Sequence, residues 1–338
     1  MRIAVDAMGG DRGPHEVVKG VLEAATHSGT HFYLVGASEQ LRPAGVTFPK
    51  NVEVIPATQV IEMHDQPMLA IRKKPDSSVV VATRMVKEGK ADAVLSIGNT
   101  GAAMAIALLT LGRIKGIDRP AIATPLPSIS GTVVMLDAGA TVDCDPNNLY
   151  EFALMGAVYA EKVIGIAHPR LGLLSNGEED AKGNDLVKRA NALFREAFAG
   201  NTDLNFIGNV EGRDIYRGNV DVVVCDGFVG NVTLKTSEGV AEMITTVLKQ
   251  ELKHQKWMRP LLIPIRPALQ RLQKRIDYAE RGGAPLLGVN GVCIIGHGRS
   301  NAYAILNACR AAERAVQQKI VETIRERVRV SPSPPPLV

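Results

Sequence analysis

Short unbroken apolar runs recur along the chain and alternate with longer stretches of helical spacing. The runs are Ile3-Ala4-Val5, Phe32-Tyr33-Leu34-Val35, Val52-Glu53-Val54-Ile55, Ala93-Val94-Leu95-Ser96, Thr132-Val133-Val134-Met135-Leu136, Leu171-Gly172-Leu173-Leu174, Val222-Val223-Val224-Cys225 and Val292-Cys293-Ile294-Ile295. Continuous apolar runs of this length belong to parallel strands covered on both faces; a half-exposed strand would alternate with polar residues. Helices are expected near residues 14–27, 77–89, 100–112, 147–165, 183–198, 230–254 and 300–327. The alternation predicts an α/β fold with a doubly wound, mostly parallel sheet and helices on both faces. No internal repeat is visible. Residues 1–330 read as a single α/β unit, and Ser331-Pro332-Ser333-Pro334-Pro335-Pro336 predicts a disordered tail over 331–338.

In open α/β sheets, ligands bind beyond the carboxyl ends of the strands. Here those ends read DAMGGD from Asp6, SIGNTGA from Ser96, LDAGA from Leu136, SNGEEDAKGND from Ser175, NVEGRD from Asn209, CDGFVGN from Cys225 and GHGRSN from Gly296. Each mixes Gly with Asp, Asn, Ser or Lys, and most lead into a helix. Any one of them is explained equally well as a turn and an N-cap. Seven on one presumed sheet edge suggest instead a cleft rich in backbone N–H groups, where helix N-termini favour an anion.

Composition narrows the classes. The 338 residues suffice for a large core, with 46% hydrophobic, 22% charged and only 4% aromatic residues. A net charge of +4 argues against a dedicated nucleic-acid binder, yet suits an acidic partner if clustered. No apolar run reaches the roughly 18–20 residues of a membrane span. The chain enters a strand at once, so no signal peptide is expected. The four cysteines are scattered without CxxC or zinc spacing, which predicts a reduced cytoplasmic setting. Cys225, Cys293 and Cys309 lie in apolar context, and Cys144 stands beside Asp143 and Asp145, which would raise a thiol pKa. The sequence has no GxxxxGK[ST], no GxGxxG opening a βαβ unit and no Gly-x-Ser-x-Gly elbow. It therefore shows no covalent nucleophile and is better equipped to hold and orient an anion.

Six blocks carry a resemblance. DAMGGDRGP, SIGNTGA, LDAGATVDCDP, GEEDAKGND, DVVVCDGFVGNVTLKTSEGVA and GHGRSNA, in this order from Asp6 to Ala302, closely resemble bacterial phosphate acyltransferase. Asn176 departs from the apolar residue expected before Gly-Glu-Glu, and the tail looks private to this sequence. The resemblance implies a fold similar to the phosphotransacetylase and isopropylmalate dehydrogenase class. It implies that acyl carrier protein thioester and inorganic phosphate give acyl phosphate, which then serves a membrane glycerol-3-phosphate acyltransferase. It further implies a homodimer, peripheral association with membranes, and neither metal nor cofactor. A coenzyme A-dependent short-chain phosphotransacetylase, a metal- and NAD-dependent decarboxylating dehydrogenase and a non-catalytic membrane scaffold are the competing readings.

The chemistry needs phosphate aimed at a thioester carbonyl and preorganised donors for the oxyanion. Phosphate is itself the nucleophile, so no acyl-enzyme is required. Loops and resemblance together place catalysis at Lys182, His297, Asn231 and Asp226. Phosphate or substrate binding falls to Asp6, Gly9, Gly10, Asp11, Gly98, Asn99, Thr100, Gly101, Asn184, Gly227, Gly298, Ser300 and Asn301. Lys182 is the expected phosphate cation, in a Gly-flanked loop before a helix. His297, between two glycines, is either an oxyanion donor or acid/base, or a helix cap. Asn99, Thr100 and Asp226 bind or merely cap; Asp6 and Asp11 hold the loop's shape or a metal, though no recognised metal loop is present. A helical hairpin is expected at about 230–280. Its tip, Leu261, Leu262, Ile263 and Ile265 among prolines and arginines, suits either an anionic membrane surface or a dimer partner. The same basic patch is open to acidic carrier protein.

Overall fold

The computed structural model describes residues 1–42, 46–62, 64–200, 204–254, 267, 271 and 282–331, with the backbone alone at 249 and 252–254. The expected tip residues 261–265 and the tail beyond 331 lie outside the described residues.

Among the described residues twelve strands run in order: β1 (Arg2–Asp6), β2 (His31–Gly36), β3 (Val52–Pro56), β4 (Ala93–Ser96), β5 (Ala121–Ile122), β6 (Thr124–Pro127), β7 (Thr132–Leu136), β8 (Arg170–Leu174), β9 (Asn205–Val210), β10 (Val222–Val224), β11 (Ala284–Leu287) and β12 (Val292–Ile295). The helices are α1 (Pro14–His27), α2 (Ser38–Leu41), α3 (Pro67–Lys73), α4 (Ser78–Lys87), α5 (Thr100–Leu111), α6 (Pro146–Tyr159), α7 (Asp185–Ala197), α8 (Gly212–Arg217), α9 (Gly227–His254), α10 (Ala302–Gln317) and α11 (Ile320–Val330). A π-helical turn, Ala160–Ile164, extends α6. The helix expected over 300–327 is two helices, because Lys319 takes a left-handed conformation (φ 49°) between them.

The fold is the mostly parallel α/β class expected, with its strands divided between two sheets rather than gathered in one. One has seven strands in the order β3-β2-β1-β4-β12-β11-β5; the other has five, β6-β7-β10-β8-β9. Ladders are parallel from β3 to β12 and from β7 to β9. The strands β11, β5 and β6 make the antiparallel pairings. The chain crosses between sheets at β5–β6. Ala121 and Ile122 pair with β11, while Thr124–Pro127 pair with β7. Pro125 and Pro127 lack an N–H, so β6 can pair on one side only and terminates its sheet.

Both faces of the first sheet are covered. Ile3 and Val5 pack into one core with Val17, Val21 and Ile305, whereas Ala4 packs into the other with Val79, Ala82 and Ile106. That two-sided burial is why the strands read as unbroken apolar runs.

Candidate active site

Because β1, β4 and β12 are parallel neighbours, the loops that follow them emerge side by side. Gly9 approaches Gly98 so closely that a Cβ on Gly9 would lie 2.7 Å from the Gly98 Cα and N. Asp11 N–H donates to Gly298 O at 2.8 Å, joining the third loop to the first. Asp6 is buried, and its carboxylate accepts from Ser78 Oγ (2.6 Å), Ser96 Oγ (2.9 Å) and Met8 N (3.4 Å). Burial pushes its pKa up and these donors pull it back. Asp6 thus braces the loop from inside; Asp11 and Gly10 remain nearer solvent.

Four of the polar residues singled out are helix caps. Asn99 Oδ1 accepts from Ala102 N at 3.0 Å, Asn184 Oδ1 from Val187 N at 2.9 Å, Asp226 Oδ1 from Val229 N at 2.9 Å and Asn301 Oδ1 from Ala304 N at 2.9 Å. Such caps contribute about 1 kcal/mol each. Asn99 also donates to Glu62 O and Asp65 O, both at 3.3 Å, so its side chain ties α5 to the loop before α3. His297 does not cap α10; Asn301 does.

The second sheet brings the loop after β7 against the start of α9. Asp137, fully buried, accepts from the N–H groups of Ile122 (2.9 Å), Gly139 (3.0 Å), Ala140 (2.9 Å) and Thr141 (2.6 Å). Burial pushes its pKa up, against those four donors. The first turn of α9 lies on this loop. A Cβ on Gly230 would stand 1.8 Å from Asp137 O, and one on Gly227 would stand 2.7 Å from Asp137 Oδ2. The two glycines of CDGFVGN therefore let α9 seat itself, and Gly227 acts through packing.

Seated there, α9 faces the loop after β12 across a cleft of about 580 Å³. Its lining is apolar at Ile122, Leu126, Leu234, Ile244 and Ala304 and polar at Thr100, Asn231, Lys235, Ser300 and His297. Asn231, Lys235 and Glu238 recur at i, i+4 and i+7, hence on one helix face. Lys235 Nζ lies 3.2 Å from His297 Nε2 and 2.8 Å from Glu238 Oε2. Arg299 N–H donates to His297 Nδ1 at 3.2 Å. This bond assigns the ring proton of a neutral imidazole to Nε2. Burial, then the Lys235 ammonium, hold the His297 pKa below its ordinary value, which keeps the ring neutral at neutral pH. The Nε2–H and the ammonium are then two donors side by side at the cleft, an arrangement that an oxyanion between them would satisfy.

Lys182 lies elsewhere. It is exposed in the loop between β8 and α7, against Gly177, and does not line the cleft. The structure thus brings together Thr100, Asn231, Ser300 and His297 at the cleft, but leaves Lys182 and Asn184 at the end of β8. Sequence reasoning passed over Lys235, Glu238 and Asp137. The helical spacing after Asn231 was the available signal for the first two; Asp137 sat unassigned in LDAGA. The cysteines are no nucleophiles: burial, then Asp137 and Asp226, push the Cys144 thiol up to about 12, and burial pushes Cys293 up to about 12. Glu178, after β8, gathers with Glu211 and Asp214, after β9, but Arg213 pairs with both glutamates, and Asp214 accepts from Glu211 N in a helix cap.

Two mostly parallel sheets flanking a cleft, with helix-capped glycine loops at the strand ends, define an α/β fold. The structure is similar to a phosphotransacetylase from Streptococcus pyogenes, with a TM-score of 0.59 and 16% identity, covering 97% of this chain and 94% of that one. It is also similar to a 4-hydroxythreonine-4-phosphate dehydrogenase from Klebsiella pneumoniae, with a TM-score of 0.51 and 13% identity, covering 94% and 98%. At these identities the likeness establishes the fold. The profile of the family described as fatty acid synthesis protein matches residues 1–323. A phosphate acyltransferase from Heliobacterium modesticaldum is 52% identical over 332 residues, 97% of this chain and 98% of its own. The chain belongs to the phosphate acyltransferase family and is a transferase. Among the described residues no helix is long and apolar enough to cross a membrane.

Proposed function

We propose that the protein transfers an acyl group from an acyl carrier protein thioester to inorganic phosphate, without an acyl-enzyme. The observation that carries this reading is the pair of donors Lys235 Nζ and His297 Nε2, 3.2 Å apart in the lining of a largely apolar cleft. Phosphate sits against this pair, near Asn231 and the start of α9. The acyl chain lies along Ile122, Leu126, Leu234 and Ile244. A phosphate oxygen attacks the thioester carbonyl carbon, the C–S bond breaks, and the proton of hydrogen phosphate ends on the departing thiolate. The products are acyl phosphate and free carrier thiol. A thiol of pKa near 8.5 leaves with little assistance, so positioning and oxyanion stabilisation are the main demands.

The test is trapping of acyl phosphate as its hydroxamate from defined acyl-carrier thioesters and phosphate. Turnover with carrier thioester that survives a chelator is expected. Turnover confined to short acyl-coenzyme A, or its loss with chelator and return with a divalent ion, refutes the reading.

Acyl phosphate made here would pass to a membrane glycerol-3-phosphate acyltransferase. In this reading the protein is cytoplasmic and homodimeric, and touches anionic membrane through Leu261, Leu262, Ile263 and Ile265. Exposed Met243, Val247 and Leu248 on the α9 stretch leading toward that segment support a contact role for 230–280. Replacing Leu261, Leu262 and Ile263 with Gln should release the protein from anionic vesicles in flotation and spare soluble turnover. Persistent vesicle binding refutes the anchor, and dissociation to monomers assigns the segment to the dimer interface.

A further inference from the structure

Helix α3, tied to the segment that carries the cleft-lining Thr100, presents a surface that the chemistry above leaves unused. Helix α3 presents Met68 and Leu69 to solvent at 50% and 49% exposure, which is large for adjacent apolar side chains on a seven-residue helix. Arg72 and Lys73 follow in its last turn, both exposed and without an ion pair or hydrogen bond among the described residues. Lys74 by contrast pairs with Asp65 at 2.5 Å, which removes that acid from the surface balance. The two unpaired cations outweigh the exposed Glu62 of the preceding loop.

The position matters as much as the composition. Asn99, the cap of α5, holds the loop before α3 through Glu62 O and Asp65 O. Pro67 Cγ lies 3.2 Å from where a Cβ on Gly101 would stand. Thr100, between those two anchor residues, lines the cleft. A macromolecule seated on α3 therefore sits against the Asn99–Gly101 segment, whose Thr100 lines the cleft.

We propose that the exposed face of α3, formed by Met68, Leu69, Arg72 and Lys73, docks the acidic carrier protein that delivers the acyl thioester. This inference rests on the acyl-transfer reading. The argument is charge complementarity around an apolar centre: unpaired cations at a rim accelerate encounter with an acidic partner, and the apolar pair supplies the contact that persists. A thioester on a flexible arm can then reach the cleft while its carrier stays outside.

The test compares Arg72→Glu/Lys73→Glu and Met68→Ser/Leu69→Ser with the unaltered protein, in two assays. In hydroxamate trapping, each double variant should raise KM for acyl-carrier thioester by about tenfold with kcat retained, the size expected for loss of rim contacts. Turnover of an acyl-pantetheine thioester, which has no carrier to dock, should be unchanged. In calorimetric titration with holo-carrier protein, binding by the unaltered protein should weaken with salt and be lost in the charge-reversal variant. Unchanged carrier KM and unchanged carrier binding overturn the dock. Equal losses on carrier and pantetheine substrates overturn it too, because the helix then acts on the cleft itself. If no thioester is turned over, the acyl-transfer reading fails, and the titration alone decides whether α3 receives an acidic protein.

Discussion

Lys235→Met separates the donor-pair reading from its alternatives, because the change removes one charge and preserves helix propensity and side-chain length. In the structure the ammonium has two neighbours, Glu238 Oε2 at 2.8 Å and His297 Nε2 at 3.2 Å. The Glu238 pair is about half exposed on the lysine side, so its loss costs no more than about 1 kcal/mol of stability. The larger effect is expected on phosphate. A charged hydrogen bond to an anion contributes roughly 1.5–3 kcal/mol, which lowers kcat/KM for phosphate by about ten- to 150-fold. A second consequence needs no turnover. The ammonium helps to depress the His297 pKa, while Glu238 opposes it; without Lys235 the pKa must rise. Hydroxamate trapping at varied phosphate measures the first effect. Imidazole proton titration by NMR, with His297→Gln to assign the resonance, measures the second. The acid limb of the rate profile should move to higher pH in the variant. A folded Lys235→Met protein with unchanged phosphate dependence and an unmoved His297 titration would refute the donor pair.

Three further outcomes are expected. Lys182→Ala should alter the phosphate dependence by no more than about twofold, as for other exposed substitutions; a tenfold rise in phosphate KM would extend the anion site to the β8–α7 loop. Gly9→Ala forces a Cβ to within 2.7 Å of Gly98 backbone, so calorimetry should show a loss of about 1–3 kcal/mol together with weakened phosphate binding, and an unchanged melting temperature would contradict the close approach. Burial pushes the Glu151 carboxyl up from 4.5 to about 7, so the native state holds its proton longer than the unfolded chain. Stability from that proton is complete below about 4.5 and declines as pH rises toward 7. Glu151→Gln should remove this decline, with its advantage over the unaltered protein growing from pH 4.5 to 7.5 in urea titrations; a constant difference would show that Glu151 titrates normally.

Much of the fold was legible because two-sided burial writes itself as unbroken apolar runs. Ala93–Ser96, Thr132–Leu136 and Val292–Ile295 are strands at the bounds their hydropathy suggests, and α1 spans the stretch expected of it. The elements that went unread are mostly short or composite, and β9, whose first half is largely exposed, shows no unbroken apolar run. β5 has two residues and β6 has two prolines, so neither shows a period, although together they divide the molecule into two sheets. The site was legible as a set of loops but not as a set of roles. Asn99, Asn184, Asp226 and Asn301 carry the residue types of both a ligand site and an N-cap, and local sequence is the same in either case.

By itself, then, the chain determined eight of the strands, the helix that follows β1 and the glycine loops at the strand ends, since these depend on period and on neighbours within a few residues. Only the tertiary structure decided that Lys235 rather than Lys182 stands beside His297, 62 positions apart in the chain. That pairing is made by α9 settling on the buried Asp137 loop through Gly227 and Gly230 and facing the end of β12 across the cleft. Charges meet according to how packed elements fit, and the fit of α9 against two sheets is a property of the whole core that no local window contains.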